Sequence, residues 1–270
     1  MKVKENKMKL KTLLLIIALI LPLNIAYSQT PEERGRQIAI EADKADQGWG
    51  DNKSISKMIL RNKHGQESVR KLRRQALEIN EPGLGDKSIT VFDEPRDIEG
   101  TALLSHTKIL KPDDQWLYLP AVKRVKRISS KNKSGPFVGS EFAYEDLLSQ
   151  EVDKYNYKWI KDEKYGELEC HVVERYPLYE NSGYTKQVVW WDKQEYRPQK
   201  IDFYDRKGSL LKTLTYSTYK QYLNKYWRAD LFQMKNHQNG KSTDIIFESW
   251  EFGLGQDEGQ FTASRLKRAK

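Results

Sequence analysis

The feature that most constrains the fold is a long succession of short segments in which apolar and polar residues alternate, joined by tight turns. Two examples are residues 115–119 and residues 210–219, which are rich in the aromatic and β-branched side chains that favour strands. The turns Asp205-Arg206-Lys207-Gly208 and Asn239-Gly240 favour hairpins, because Gly and Asn tolerate positive φ. Tight turns join antiparallel neighbours, and no helix-length segment separates the strands. The chain is therefore predicted to form one antiparallel meander that curls.

Helical signals lie outside this succession or interrupt it. Thr30-Pro31-Glu32-Glu33 combines a capping residue, a proline at the first helical position and a capping-box glutamate, which predicts a helix to about Gln47. A glycine-rich loop at residues 134–140 precedes an amphipathic segment at residues 141–148, and another such segment covers residues 258–270. Both are predicted to form short helices.

The first 28 residues have the three parts of a secretory signal peptide. Five lysines precede an apolar run at residues 13–23, and Ala26-Tyr27-Ser28 supplies small residues before a cleavage site. A membrane anchor is the alternative, but the run is shorter than the roughly 20 residues of a spanning helix, and Pro22 interrupts it. We therefore expect a periplasmic protein, cleaved between Ser28 and Gln29, in which residues 29–270 form a single domain.

Charge and composition argue against several classes of protein. The formal net charge is +9, and five lysines and one glutamate lie in the first 28 residues, so the remainder carries +5 with both signs intermixed. Nucleic-acid binding would show a stronger, clustered excess. The single cysteine, Cys170, lies in an apolar run and is expected to be a buried thiol.

The sequence contains no motif that indicates catalysis. The four histidines lie far apart, without metal-ligand spacing, and there is neither a nucleophile elbow nor a P-loop. The pair Asp113-Asp114 stands at a strand start, where Asp favours turns. We therefore expect a binding protein rather than an enzyme, with no catalytic residues, no metal and no cofactor.

The alternating aromatic residues are candidates for the wall of a ligand cavity. Residues two apart on a strand share a face, so the pattern assigns the side chains to faces but does not show whether they fill a core or line a cavity. The candidate cavity residues are Trp116, Tyr118, Trp190, Ile201, Phe203, Leu214 and Tyr216.

A basic cluster forms a second candidate site. Residues 122–129 place Lys123 and Arg127 on one face of a strand and Arg124 and Lys126 on the other, so this strand cannot be buried on both faces. One interpretation is a solvated edge strand that its charges protect from aggregation. The other is a contact surface for anionic headgroups or an acidic partner.

The middle and the end of the chain resemble the LolA-like, outer-membrane lipoprotein-sorting proteins of the bacterial envelope. The matching stretches are Asp86-Lys87-Ser88, Phe92-Asp93-Glu94-Pro95-Arg96-Asp97, Gly100-Thr101-Ala102-Leu103-Leu104, Asp114-Gln115-Trp116-Leu117-Tyr118-Leu119-Pro120 through Arg127-Ile128, Ser134-Gly135-Pro136-Phe137 through Phe142-Ala143-Tyr144-Glu145-Asp146, Ser182-Gly183-Tyr184, Tyr204-Asp205-Arg206 and Asn236-His237-Gln238. Each piece alone is weak, and the combination is specific.

The resemblance implies a mainly β fold: a half-open curved antiparallel β-barrel of the LolA/LolB type, with an N-terminal helix and short lid helices. It also implies a hydrophobic cavity that shields acyl chains. The candidate lid residues in the loop and the following segment are Phe137, Phe142, Tyr144 and Leu147.

The expected function is that of a monomeric periplasmic carrier. It would shield acyl chains of lipoproteins, or another lipid, for transfer from an inner-membrane transporter to an outer-membrane acceptor. An alternative is a non-catalytic accessory protein of an RND-type lipid export complex, with the basic strand as its contact. A third possibility is a hydrolase of envelope polymers, which would require convergent carboxylates in a polar cleft.

Overall fold

The computed structural model describes residues 29–268, so the predicted signal peptide, residues 1–28, lies outside the described residues. Thirteen strands make up one sheet: β1 Asp51–Arg61, β2 Glu67–Leu77, β3 Leu84–Glu94, β4 Ala102–Lys108, β5 Asp114–Leu119, β6 Arg124–Arg127, β7 Tyr155–Tyr165, β8 Leu168–Pro177, β9 Tyr184–Asp192, β10 Pro198–Asp205, β11 Leu210–Tyr222, β12 Tyr226–Asn236 and β13 Ser242–Phe252. The helices are α1 Pro31–Ala45 and α2 Ala263–Leu266. No helix within the described residues has both the length and the apolar character needed to cross a membrane.

The sheet is antiparallel, curved and not closed. Its order is β6-β5-β4-β3-β2-β1-β13-β12-β11-β10-β9-β8-β7, so all consecutive strands are neighbours except β6 and β7. The first and last strands, β1 and β13, pair in the middle of the sheet, whereas β6 and β7 are its two free edges. The predicted half-open curved antiparallel barrel is confirmed.

The largest hydrophobic cluster lies on the concave face. Alternate residues of almost every strand point into it, as the two-residue period of a strand requires. Its buried strand residues are Met58, Leu72, Phe92, Leu103, Leu117, Tyr155, Tyr157, Val173, Tyr184, Val189, Trp191, Ile201, Phe203, Leu214, Met234 and Ile245. Smaller clusters occupy the convex face, and one of them is covered by Phe261 and Leu266 near the C-terminus.

Helix α1 begins where the sequence predicts and lies against β7. The Thr30 hydroxyl accepts from the backbone N–H of Glu33, and the Glu33 carboxylate accepts from the N–H of Thr30, which completes the capping box. A Cβ added to Gly35 would stand 2.7 Å from the backbone nitrogen of Trp159. The absence of a side chain at Gly35 therefore allows the helix to approach the strand closely.

The connection from β6 to β7, residues 128–154, crosses the concave face from one free edge to the other, and we call it the crossing segment. It consists of short 3-10 turns, among them Phe137–Gly139 and Tyr144–Leu147, instead of the helix predicted for residues 141–148. The Asp146 carboxylate accepts from the N–H of Ala143 and fixes this tight turn. The predicted C-terminal helix is likewise reduced to a 3-10 turn, Glu258–Gln260, and to α2.

Candidate functional site

The main cavity lies between the concave face of the sheet and helix α1. Its volume is about 600 Å³, within the range of roughly 300–1,000 Å³ that is usual for ligand pockets. Its walls come from α1, the end of the crossing segment, and strands on both sides of the β1–β13 pairing. The cavity therefore occupies the part of the concave face that the crossing segment leaves uncovered.

One end of the cavity is lined mostly by aliphatic and aromatic side chains. They belong to α1, to the crossing segment and to β7–β12: Ala39, Ala42, Val152, Tyr157, Val189, Trp191, Ile201, Tyr216 and Phe232. These residues expose wide, stiff apolar surface to the cavity. This end can bury a hydrocarbon chain.

The other end of the cavity, called the polar end below, mixes polar with apolar side chains. Its lining comes from β1–β3, the residues next to them and the crossing segment; the polar members are Asn52, Arg74, Glu78, Asn80, Asp86, Ser149, Gln150 and Glu151, and the apolar members include Ile79, Leu84, Ile109 and Leu148. The hydrophobic cavity implied by the family resemblance is therefore hydrophobic over only part of its lining. The lining as a whole is amphipathic, which suits a ligand with an apolar chain and a polar head.

Three of the four arginines that line the cavity have protein partners. Arg197 pairs with Asp192 at 2.8 Å, and Arg228 pairs with Asp46 at 2.5 Å. The Nε of Arg175 donates to Gln187 at 2.6 Å. These pairs neutralise or orient the guanidinium groups that lie nearest to the apolar end.

Two carboxyl groups at the polar end have raised pKa values. Burial raises the pKa of Asp86 to about 6, although its carboxylate accepts a hydrogen bond from the Ser149 hydroxyl at 2.9 Å. Burial and the nearby Asp86 raise the pKa of Glu151 to about 7. Both groups therefore change charge near neutral pH.

The structure divides the candidate cavity residues between the two faces of the sheet. Ile201 and Tyr216 line the cavity, and Phe203 and Leu214 are buried beside them in the concave cluster. Trp116 and Tyr118 lie on the convex face with the C-terminal segment, and Trp190 packs on that face near Cys170. The alternation grouped the residues by strand face but did not show which face is concave.

The four candidate lid residues lie on the crossing segment and pack into the concave cluster. Phe137 and Phe142 are 1 % and 3 % exposed, and Tyr144 and Leu147 are half-buried. The ring of Phe137 stands 5.4 Å from that of Phe92. These side chains fill the part of the concave face that the cavity does not reach.

A buried polar network, which no sequence pattern predicted, holds the crossing segment in place. The Glu145 carboxylate accepts from the hydroxyl groups of Tyr179 and Ser182 and from the N–H of Gly183. Asp146 accepts from the Tyr184 hydroxyl and pairs with Lys212 at 2.7 Å, where both side chains of the ion pair are less than 5 % exposed. Breaking such a buried pair is costly, so this segment is anchored rather than loose.

The basic candidates lie at a free edge of the sheet. Strand β6 pairs only with β5 within the described part of the chain, and its residues Arg124, Lys126 and Arg127 are exposed, as is Lys123 just before it. Arg127 pairs with Asp114. The basic cluster is therefore a solvated sheet edge that is as long as the four-residue strand β6.

The described residues offer no evident centre for metal or nucleophilic chemistry. No group of three or more His, Cys, Asp or Glu side chains between residues 29 and 268 is arranged to hold a metal ion. Cys170 is buried as expected, and burial raises the pKa of its thiol to about 11. The ring of His171 is hydrogen-bonded to Asp162. The same carboxylate accepts a hydrogen bond from the Trp159 indole N–H and pairs with the Lys193 ammonium group.

Several cavity residues escaped the sequence interpretation. Arg74 shares the concave face with Leu72 and Ala76 of β2, and Tyr219, Trp227 and Trp250 line the cavity from β11–β13. The period of two in β2 could have placed Arg74 on the same face as Leu72. An arginine in an alternating strand is normally assigned to the solvent-facing side, so no local sequence pattern identified Arg74 as a cavity residue.

The fold and sequence are similar to those of two solved structures. A domain named for outer membrane lipoprotein sorting, from Vibrio parahaemolyticus, is 55% identical and covers 88% of this chain and 100% of its own, with a TM-score of 0.86. A DUF1329 family protein from Desulfovibrio piger is 27% identical and covers 88% of this chain and 99% of its own, with a TM-score of 0.82.

A more distant structure shares the fold. A LolA superfamily protein from Nitrosomonas europaea is 21% identical and covers 85% of this chain and 98% of its own, with a TM-score of 0.67. A protein-family model described as "Uncharacterized protein" matches residues 85–268. No curated protein matches the sequence.

Proposed function

The chain belongs to the LolA-like family of outer-membrane lipoprotein-sorting proteins, and from this premise we propose that it is a periplasmic carrier. It shields an acyl chain of a lipoprotein or another lipid in its cavity and passes the lipid on to the outer membrane. The protein acts by binding and release, without a catalytic step.

The observation that carries this proposal is the apolar end of the cavity under α1. An acyl chain cannot cross water at low cost, because each buried methylene gains roughly 0.8 kcal/mol. Apolar contact is not directional, so one cavity accepts chains of different length and position. A cavity of about 600 Å³ with aromatic and aliphatic walls supplies such contact.

A carrier must also release its ligand, and α1 is the cover best suited to move. The helix is tied to β7 by the partly exposed ion pair of Arg34 with Asp162 at 3.2 Å, and to the end of the crossing segment by the exposed pair of Arg36 with Asp153 at 2.7 Å. Exposed ion pairs contribute little to stability, whereas the crossing segment is held by buried ones. We therefore assign gating to α1 and a fixed supporting role to the crossing segment.

The remaining parts of the proposal follow from the expected route of the protein. Residues 1–28 direct export and are removed, and residues 29–270 act as one unit in the periplasm. An inner-membrane transporter donates the lipid, and an outer-membrane acceptor receives it. The exposed basic residues Lys123, Arg124, Lys126 and Arg127 are the proposed contact with these partners or with anionic headgroups.

A cavity-filling substitution tests the carrier proposal. Ala42 lines the cavity from α1, so Ala42→Phe places a ring in the space that the ligand would use. We expect the refolded protein, residues 29–270, to bind a fluorescent fatty acid, and Ala42→Phe to weaken this binding about tenfold, the loss that follows from displacing a few methylenes.

The matched control is Gln37→Phe, on the exposed side of the same helix, which should bind as tightly as the natural protein. Circular dichroism melts confirm that both variants fold. Absence of lipid binding by the natural protein, or equal binding by both variants, would contradict the proposal.

A further inference from the structure

Arg74 differs from the other cavity arginines because it has no protein partner. Within residues 29–268 its guanidinium makes no hydrogen bond and no ion pair, although it lies in the cavity wall. Burial lowers the pKa of this guanidinium to about 10, against an opposing effect of the nearby Asp86 carboxyl group, so it still carries its charge at neutral pH. Arg74 is half-buried, and a charge that is partly withdrawn from water without a close partner is costly, so such groups usually have a counter-ion.

The side chains around Arg74 also have unused polar atoms. In the strand register Ser54 of β1 lies between Arg74 of β2 and Trp250 of β13, so the three side chains are neighbours on the concave face. The Ser54 hydroxyl and the Trp250 Nε1 are buried without a partner within residues 29–268. The side-chain amide oxygen of Asn52, a cavity residue that is 3 % exposed, has no partner in the same part of the chain.

These atoms include donors suited to an anionic oxygen. An arginine fork, an indole N–H and a hydroxyl can together bind a carboxylate or phosphate group. Buried polar groups in proteins are almost always hydrogen-bonded. The combination on β1, β2 and β13 therefore has the composition of a binding site for a polar head, beside an apolar cavity.

The neighbouring carboxyl groups restrict the charge of that head. Asp46 is paired with Arg228, and Glu78 accepts from the N–H groups of Gly48 and Gly50 at 2.6 and 2.8 Å. Asp86 accepts from Ser149, as described above, whereas the side-chain carboxyl group of Glu151 has no hydrogen-bond partner in residues 29–268. These acidic groups would repel a second negative charge, so a singly charged head fits the site better than a doubly charged one.

We propose that the cavity selects a lipid with one negative charge on its head group, a carboxylate or a phosphodiester, and that Arg74 is its counter-ion. This inference rests on the proposed carrier function and specifies its ligand. A neutral lipid, whose acyl chains are linked only through ester and amide bonds, would leave Arg74 unpaired. The apolar chain of the acidic lipid lies at the opposite end of the cavity, under α1.

The test compares ligands that differ only in head charge. Palmitate is measured against methyl palmitate, and phosphatidylglycerol against diacylglycerol with the same chains, while inorganic phosphate tests the head site alone. We expect the natural protein to bind each charged ligand about tenfold or more tightly than its neutral partner, as a charge-assisted hydrogen bond would produce. The comparison of palmitate with phosphatidylglycerol shows which acidic head is preferred.

Substitution of the arginine provides the second arm. Arg74→Gln should abolish the preference for charged ligands, by weakening binding of palmitate about tenfold more than binding of methyl palmitate, and Arg74→Lys should restore part of the preference. The control is Arg73→Gln, since Arg73 is the next residue on β2, faces the other side of the sheet and pairs with Asp93. A circular dichroism melt establishes that each variant folds.

The outcomes separate this inference from the carrier proposal. Equal binding of charged and neutral lipids by the natural protein, or an unchanged preference in Arg74→Gln, overturns the inference and leaves the carrier intact. Failure of the natural protein to bind any lipid overturns both. If Arg74→Gln does not fold, the comparison of charged with neutral ligands on the natural protein still tests the inference.

Discussion

At the scale of single residues, the cavity is distinguished by how its charges are neutralised. Arg197 and Arg228 have carboxylate partners, whereas Arg74 has none within the described residues, and Glu151 is a carboxyl group without a hydrogen bond. Most buried polar groups of this protein are satisfied, as in the Asp146–Lys212 pair. Several of the exceptions in the described residues, Asn52, Ser54, Trp227 and Trp250, line or adjoin the cavity, where a ligand would complete them, whereas Gln115 and Gln256 lie outside its lining.

Glu151 makes the stability of the protein depend on pH. Its pKa is raised from 4.5 to about 7 by burial first and then by Asp86, against an opposing effect of Lys154. In the unfolded chain the group ionises at the lower value. The free energy of unfolding should therefore fall as pH rises from about 4.5 to 7, because the unfolded state releases its proton first.

Glu151→Gln removes this titration. We expect the variant to be more stable than the natural protein at pH 8 by about 1 kcal/mol, less than the full pKa shift implies because the side chain is half-buried and partly screened. Urea unfolding at pH 4 and pH 8 measures the effect, with the exposed Glu251→Gln as control. Parallel pH profiles for Glu151→Gln and the natural protein would refute the assignment.

At the scale of elements, α1 and the crossing segment cover the same concave face by different means. The crossing segment inserts Phe137 and Phe142 into the core and is held by Glu145 and Asp146. Helix α1 rests on β7 through its small face at Gly35, with Ile38 and Ala39 buried. The element that closes the cavity is therefore also the one with fewer buried polar ties to the sheet.

The close approach at Gly35 makes the position of α1 testable. In a free helix Gly→Ala would stabilise by about 1 kcal/mol. Here the new Cβ would stand 2.7 Å from the Trp159 nitrogen, so the helix must move away from β7. We expect Gly35→Ala to lower the melting temperature, to speed amide exchange along α1 and to accelerate lipid release.

The control for this prediction is Gln37→Ala on the exposed side of α1. It raises helix propensity without touching the strand, so it should leave exchange and release unchanged or slightly slower. A higher melting temperature for Gly35→Ala would mean that α1 is not packed on β7 as closely as described.

At the scale of the whole molecule, pairing of the two terminal strands puts the free edges in the middle of the sequence. Strands β6 and β7 are consecutive, yet they lie at opposite ends of the sheet. A free edge exposes unpaired backbone groups, and the charges of Arg124 and Lys126 discourage other chains from adding to it. The same exposed charges are the proposed contact with anionic headgroups or a partner.

Charge reversal separates docking from lipid binding. We expect Arg124→Glu with Lys126→Glu to slow transfer of a fluorescent lipid between anionic vesicles severalfold, since each basic residue near such a surface contributes about 1 kcal/mol. Equilibrium binding of the lipid should not change, because the cavity lies elsewhere. Stopped-flow transfer measures the rate.

The control for the whole-molecule prediction is Lys63→Glu with Lys207→Glu, which changes net charge equally at two exposed turns. A comparable slowing by this pair would show that net charge alone, rather than the β6 edge, governs transfer.

Much of the fold could be predicted from local sequence patterns. The alternation and the turns at Gly208 and Gly240 gave the antiparallel meander, and the Thr30–Glu33 box gave the start of α1. Both are local effects, decided by residues within a few positions of each other. The segment at residues 141–148 failed this approach, because contacts of Glu145 and Asp146 with distant strands replaced the helix with 3-10 turns.

The same local patterns predicted only part of the candidate site, because they group residues by strand face without showing which face lines the cavity. A period of two shows that Trp116 and Leu117 face opposite ways but does not state which side faces inward. That choice depends on the curvature of the sheet. The curvature depends in part on the pairing of β1 with β13, the first and last strands in the sequence. Curvature placed Ile201 and Tyr216 in the cavity and Trp116, Tyr118 and Trp190 outside it.

The sequence by itself therefore determined the strands, their antiparallel order and the family. The tertiary structure decided which face became a cavity, which cover is anchored, and that Arg74 lies unpaired beside an apolar chamber. The reason is that strand and turn formation depend on near neighbours, whereas burial and charge pairing depend on residues brought together from opposite ends of the chain.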